Sequence, residues 1–216
     1  MPLDRKKVVS CALRLLDRVG LEGLTLRKLA AELRVQAPAL YWHFKNKQEL
    51  LDEMATAMLL ESVSAMLPGE TETGDWSKWA ADFGKELRAV LLRHRDGAKM
   101  FSGTYLTDAN AFEPMESALR KFTTAGFSSQ NAVLALKTIY CYTIGFTIEE
   151  QAVSGKPGKR DPRYDPAARA KRIDAERLPM VLAAGEAMHD SDAQFEQGLQ
   201  IIIGGVRTLV KRRRSS

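Results

Sequence analysis

Between Arg5 and Val19 the apolar residues Val8, Val9, Ala12, Leu15 and Leu16 return every three or four positions among charges, the period of a helix with one face to bury. Gly20 follows, and glycine ends helices by entering left-handed backbone without a Cβ penalty. The period resumes at Leu26, Leu29, Ala30 and Leu33 behind Thr25, a residue suited to capping a helix N-terminus. After a break at Arg34-Val35 a shorter helix opens with Pro38 in its first turn, where the missing N–H costs nothing, and turns Leu40 and Phe44 inward. Asn46, with Glu49 three residues on, makes a capping-box-like start for a long helix that carries Leu50, Leu51, Met54, Ala57 and Met58 to about Met66.

Downstream, the spacing predicts helices from Asp75 to the Arg93–Gly97 junction, briefly before Ser102-Gly103, from Glu113 to Thr124, and from Ser129, capped by Ser128, to Val153. A helix from Asp165 to His189, broken or kinked near Pro179, and a last one from Asp192 to Lys211 complete the set. Pro68–Gly74 and Thr104–Ala111 read as loops, and Gly155–Arg163 as a linker. The last helix aligns Phe195, Leu199, Ile202, Ile203, Val206, Leu209 and Val210 in a stripe wider than one neighbour needs, and Gly198, Gly204 and Gly205 would admit a partner helix. The expectation is an all-α protein, with a three-helix head at residues 1–46 and a helical body at 47–216.

Charge sharpens this division. The 216-residue chain carries a net charge of +5, but residues 1–47 hold ten Lys and Arg against four acids, so the head is strongly cationic and the body near neutral. A cationic head suits a polyanion, whose phosphates supply most nonspecific affinity through counterion release. The Lys211–Arg214 tail adds cations, but reads as a solvated end. Cys11 and Cys141 have neither zinc-ligand nor C-x-x-C spacing and are expected to be small buried hydrophobes. Met1–Asp4 leads straight into charges, without a signal peptide, and the apolar stretch Ala132–Ile148 is too short and interrupted to span a membrane; a cytoplasmic protein with no membrane partner is expected.

Catalytic patterns are missing. There is no G-x-S-x-G elbow, phosphate-cradling loop or H-E-x-x-H, His43, His94 and His189 stand apart, and the adjacent Glu149 and Glu150 point about 100° apart on a helix. No catalytic residue, metal ligand or cofactor is therefore expected.

The stretch Leu24–Lys47 joins two short helical patterns across a tight turn, as a helix-turn-helix does. Its second helix would present Gln36, Ala37, Ala39, Tyr41 and His43 outward, with Arg27, Lys28, Lys45 and Lys47 near phosphates. The run LYWHFKNKQELLD, preceded by GLEGLTLRKLAAELRV, resembles the DNA-binding head of the tetracycline-repressor (TetR) family. A weaker resemblance continues through LLRHRDGAKMFSGTYL, TAGFS and GFTIEEQ to the ligand domain of the tetracycline repressors proper. The resemblance implies a homodimer, paired through the helix bearing Gly145-Phe146 and the last helix, bound to a pseudo-palindromic double-stranded DNA operator and responsive to a small molecule. It places Arg27, Lys28, Gln36, Ala37, Pro38, Ala39, Tyr41, Trp42, His43 and Lys47 at DNA. Pro38, Tyr41, His43 and Lys47 match the family, Arg34 replaces its turn glycine, and Ala37 and Ala39 replace base-reading glutamine and threonine, so a different operator is expected.

In the relatives, the resemblance implies, a magnesium–tetracycline chelate rests on a histidine, a threonine and a glutamate of the partner subunit. Thr104 and Glu149 match the last two, but Phe101 replaces the histidine, and Val63, Phe83 and Ala118 replace further polar contacts. A hard cation is left with too few ligands. The expected site is an apolar cavity lined by Val63, Trp79, Phe83, Phe101, Thr104, Tyr105, Met115, Leu119, Leu134, Thr138 and Tyr142, with Glu149 contributed across the dimer, for a hydrophobic effector that is not Mg-tetracycline. A constitutive DNA-binding protein without an inducer is the alternative.

Overall fold

The computed structural model describes residues 4–66, 75–154, 161–187 and 191–210, and among these the regular structure is helical throughout. The expected loop at Pro68–Gly74, most of the expected linker, residues 155–160, and the tail from Lys211 lie outside the described residues.

The head consists of α1 (Arg5–Gly23), α2 (Leu26–Leu33) and α3 (Ala37–Tyr41). Asp4 and Thr25 cap the first two, accepting from Lys6 N and Lys28 N at 3.1 and 3.2 Å. Gly20 interrupts α1 at φ 71°, ψ 174°, so the Leu21–Gly23 turn leaves at an angle. The α2–α3 turn is a Schellman motif: Val35 N donates to Ala30 O and Arg34 N to Ala31 O, with Arg34 left-handed at φ 55°, ψ 39°. Val8, Ala12, Leu16, Leu24, Leu29, Leu40 and Phe44 close the core with no exposed surface.

Helix α4 (Lys47–Met66) begins under the head and packs along α5 (Trp76–Leu92). Asn46 Oδ1 accepts from Glu49 N at 2.9 Å, while the Glu49 carboxylate reaches back to Lys45 N at 2.8 Å, one residue beyond a standard capping box. The body continues with α6 (Gly97–Phe101), α7 (Phe112–Thr124), α8 (Ser129–Ser154), α9 (Pro166–Ala170), α10 (Pro179–Ala187) and α11 (Ser191–Val206). Helices α5, α8 and α11 pack on one another. Between them, Arg88 forks onto Glu150 at 2.6 and 2.8 Å and lies over the Phe195 ring at 4.9 Å.

Four expectations change here. The expected helix from Asp165 is not one helix with a break as far as Ala187, its end at His189 lying outside the described residues: α9 ends at Ala170, turns occupy the next eight residues, and Pro179 opens α10, since proline fits a first turn and fails in an interior. These two helices pack chiefly on each other. Cys11 is buried as expected, but Cys141 is exposed, on the α8 face turned away from α5 and α11. The expected apolar stretch extends into a 26-residue helix, long and apolar enough by length and composition to cross a bilayer, although it packs here against α5, α7 and α11. Gly198 admits not a partner helix but Tyr142 of the same chain, whose ring and hydroxyl occupy the place a Cβ would take.

Candidate nucleic-acid interface and ligand cavity

Burying Leu40 and Phe44 turns the remainder of α3 outward. Gln36, Pro38, Tyr41 and Trp42 are exposed, Ala37, Ala39 and His43 are half-buried, and Arg27 and Lys28 flank them on the solvent side of α2. Trp42 is 89% exposed, a large apolar surface left to water in this chain. Nine of the ten residues expected at DNA thus belong to α2, α3 and the turns beside them, and the tenth, Lys47, is the first residue of α4. Lys47 is the exception in its bonding: its ammonium donates to Leu21 O at 2.7 Å and is partly buried. It closes the end of α1, while the exposed Lys45 is left to the solvent.

The head is tied to the body where α1 ends. The Asp96 carboxylate accepts from Leu21 N at 2.8 Å, Arg95 N donates to Asp17 Oδ1 at 3.1 Å, and His94 Nδ1 lies 3.1 Å from the same carboxylate. Asp96 is itself left-handed, at φ 55°, and begins α6. From α8, Gln151 holds that turn on both sides: its Oε1 accepts from Ala98 N at 3.0 Å and its Nε2 donates to His94 O at 2.8 Å. Gly97 is required there, because a Cβ would overlap Leu91 O.

At its other end α6 forms the wall of a cavity of about 340 Å3 between α4, α5, α7 and α8. Of the eleven residues expected to line it, Val63, Trp79, Phe83, Phe101, Thr104, Met115 and Leu119 do. So does Ala118, so that Val63, Phe83, Phe101 and Ala118, four apolar residues from four helices, line one cavity. Trp79 stacks on Phe83 at 5.3 Å between ring centres, and Phe101 meets Tyr140 at 6.1 Å. Thr104 Oγ1 donates to Phe101 O at 2.6 Å.

Tyr105, Leu134, Thr138 and Tyr142 do not line it. Tyr105 is 73% exposed, because side chains alternate along the extended 104–108 segment and Leu106 takes the inward place. On α8 the inward residues are Val133, Leu136, Lys137 and Tyr140, one helical face. Leu134 and Thr138 stand one residue, about 100°, around from it. Tyr142 instead donates its hydroxyl to Phe195 O at 3.0 Å and stacks on that ring. Glu149 lines a separate, wider cleft between α8 and the 162–173 segment. Leu59, Ala111 and Pro114, which the sequence pattern gave no reason to select, complete the wall.

The body's loop also reaches α4. Tyr105 N donates to Asp52 Oδ1 at 3.1 Å and Thr107 N to Thr56 Oγ1 at 3.0 Å. Cavity wall, α6, α4 and the end of α1 therefore form one continuous set of contacts.

Comparison with known proteins agrees with this geometry. Residues 8–54 match the family described as bacterial regulatory proteins, tetR family, and residues 67–210 match the tetracyclin repressor-like C-terminal domain. The chain is similar to the tetracycline repressor protein class A from transposon 1721 of Escherichia coli, 41% identical over 98% of this chain and 92% of the relative. A possible TetR family transcriptional regulator from Streptomyces coelicolor A3(2) superposes with a TM-score of 0.82 at 38% identity, covering 95% of this chain and all of that one. The TetR family protein ActR of Streptomyces coelicolor, solved in complex with actinorhodin, gives 0.83 at 27% identity, covering 98% and 100%.

Proposed function

Because the chain belongs to the tetracycline-repressor family of DNA-binding transcriptional regulators, we propose that it is a repressor released from its operator by a hydrophobic small molecule other than magnesium–tetracycline. The observation that carries this reading is the lining of the cavity: Val63, Phe83, Phe101 and Ala118, at positions where the relatives carry polar drug contacts, all line it. Among the described residues no imidazole or carboxylate lines it, and the neutral Thr104 and Tyr140 hydroxyls are too few oxygen ligands for a hard divalent cation, so the residues present do not fit Mg²⁺. ActR bound to actinorhodin supports a natural product other than tetracycline as a ligand for this architecture.

The two heads act as a pair. On α8 the face bearing Cys141, Gly145, Glu149 and Ala152, and on α11 Ile201, Gly204 and Gly205 with Thr208 in the turn that follows, are exposed in the single chain. A Cβ on Gly145, Gly204 or Gly205 would meet nothing within 4 Å, leaving room for close approach of a second copy. A two-fold dimer through these faces presents two α3 helices to successive major grooves of a pseudo-palindromic operator. Ligand in the cavity favours a conformer in which α6 and α4 hold the heads at the wrong separation, a population shift of about 1–3 kcal/mol in such systems. The division is a DNA-binding head, 1–46, and an effector and dimerisation body, 47–216.

Selection of bound sites from random duplex DNA tests the reading: a two-fold symmetric site with half-sites about one helical turn apart is expected. A monomer in light scattering, or no duplex preference over heparin, overturns it. Fluorescence of Trp79, which lines the cavity, tests the ligand. Magnesium-dependent quenching by tetracycline at micromolar concentration overturns the exclusion of that drug.

A further inference from the structure

The cavity's polar groups are of one kind. Among the described residues and beyond Thr104, the polar side chains lining it are the Trp79 indole, the Tyr140 phenol and the Lys137 ammonium; each donates, only the phenol can also accept, and no carboxylate, amide or imidazole faces them. Lys137 is the single charged residue of the lining, and among the described residues it makes no ion pair or hydrogen bond. Elsewhere on the body Lys78 pairs with Asp82, Lys85 with Glu196, Arg88 with Glu150 and Asp192, Arg93 with Glu61, and Arg120 with Glu116.

Lys137 and Tyr140 stand three residues apart on α8, on the same face, and both line the cavity. Lys137 is largely exposed, so its stem borders the apolar wall while its charge stays at the rim. Tyr140 is half-buried and its hydroxyl has no partner among the described residues; since no sealed-off side-chain polar atom lacks a partner, that hydroxyl opens onto accessible space. Burial raises the Tyr140 phenol above its ordinary pKa, which keeps it protonated and a donor. A neutral hydrocarbon entering this cavity would leave donors unanswered. A cation would be repelled.

On the reading above that this cavity receives the effector, we propose that the effector is an apolar anion, a hydrophobic body bearing a carboxylate, sulfonate or acidic phenol, whose charged group is held at the rim by Lys137 with the Tyr140 hydroxyl donating beside it. The aromatic floor of Trp79, Phe83 and Phe101 takes the hydrophobic body. The anion supplies the charged acceptor that the lining lacks.

Two fluorescent probes with the same fused-ring and phenyl frame, one with and one without a sulfonate, separate charge from apolar fit: anilinonaphthalene sulfonate and phenylnaphthylamine. Titrated into the full chain, the sulfonate is expected to bind roughly tenfold more tightly, an ionic contact at a wet rim being worth about that much, and the preference is expected to shrink with added salt. Lys137→Met should reduce sulfonate binding to the level of the neutral probe and leave the neutral probe unchanged, and Lys137→Arg should keep the preference. Equal affinity of the two probes in the unaltered chain, or a preference that survives Lys137→Met, overturns the anion assignment. Ala118→Phe, which fills the wall, should abolish both probes. If it does so while the probes bind equally, the cavity reading stands and the anion falls; if neither probe binds the unaltered chain, or both bind undiminished after Ala118→Phe, the cavity reading falls and takes this inference with it.

Discussion

Leu21 and Asp96, 75 residues apart in the chain, are joined by a 2.8 Å hydrogen bond from the backbone N–H of one to the carboxylate of the other. The bond crosses from head to body. Leu21 O is held from the other side by Lys47 at 2.7 Å, so the end of α1 lies between the first residue of α4 and the N-cap of α6. Phe101, at the far end of α6, lines the cavity. Asp96→Ala strands a partly buried N–H that was bonded to a charged group, and should cost about 1–3 kcal/mol in denaturant unfolding. It should also raise the inducer concentration needed for half-release of operator DNA, since α6 loses its hold on the head. Asp96→Asn retains an oxygen acceptor and tolerates left-handed backbone, so both changes should be smaller. An unchanged release curve for Asp96→Ala would remove this contact from the coupling.

Arg34 occupies the left-handed position of the α2–α3 turn, at φ 55° and ψ 39°, where a Cβ costs about 1–2 kcal/mol. Arg34→Gly removes that strain but returns about 0.5–1 kcal/mol through the greater freedom of the unfolded chain. The difference favours glycine, so the variant should be more stable by up to about 1 kcal/mol, read as a rise in Tm of the full chain. A fall in Tm would mean that the Arg34 side chain contributes more to the head than its exposed position provides.

Most helices and the cap at Thr25 could be read in the sequence because period and capping chemistry are local properties, and Thr25 accepts from Lys28 N as its position demands. What escaped was phase. The pattern offers Leu134 and Thr138 where Val133 and Lys137 line the cavity, and Tyr105 where Leu106 does. A one-residue offset turns a helix by about 100° and a strand-like segment by about 180°, and α8 carries apolar residues nearly all round, so its pattern does not say which face meets which neighbour. The same ambiguity put Cys141 inside and assigned Gly198 to a partner, when Tyr142 of the same chain fills that space. Apolar substitutions at Val63, Phe83, Phe101 and Ala118 were legible through resemblance alone, since nothing local brings four helices together.

Asp75 caps α5, and its carboxyl lies below the ordinary carboxylate range because it accepts from the Ser77 hydroxyl and the Ser77 N–H, both at 2.8 Å. A group whose folded pKa is depressed contributes stability that is complete above its unfolded value, near pH 4, and is lost as pH falls through the folded value. Asp75→Asn keeps an acceptor at the cap but cannot titrate. Its stability should therefore fall less steeply than that of the unaltered chain below about pH 4, followed by helical circular dichroism. Parallel acid limbs in the two proteins would show that the cap charge has no part in acid stability.

The exposed cations of the head and the bonded one should separate in DNA binding. Lys45 is exposed, and Lys45→Ala should weaken binding to every sequence alike, reduce the slope of log K against log salt by about one, and leave Tm unchanged. Lys47 differs because its ammonium is bonded to Leu21 O. If that bond persists on DNA, Lys47→Ala should lower Tm and weaken binding with little change in salt slope, the loss passing through the end of α1. If the ammonium leaves Leu21 for a phosphate, the slope falls by about one as for Lys45. Arg27, exposed on α2 beside α3, has the reach and the donor fork for a guanine edge, so Arg27→Ala should cost about 1–3 kcal/mol on the preferred operator and relax selectivity at one position in each half-site. Equal losses for Arg27→Ala on preferred and scrambled sites would reduce that arginine to a phosphate contact and leave base reading to α3.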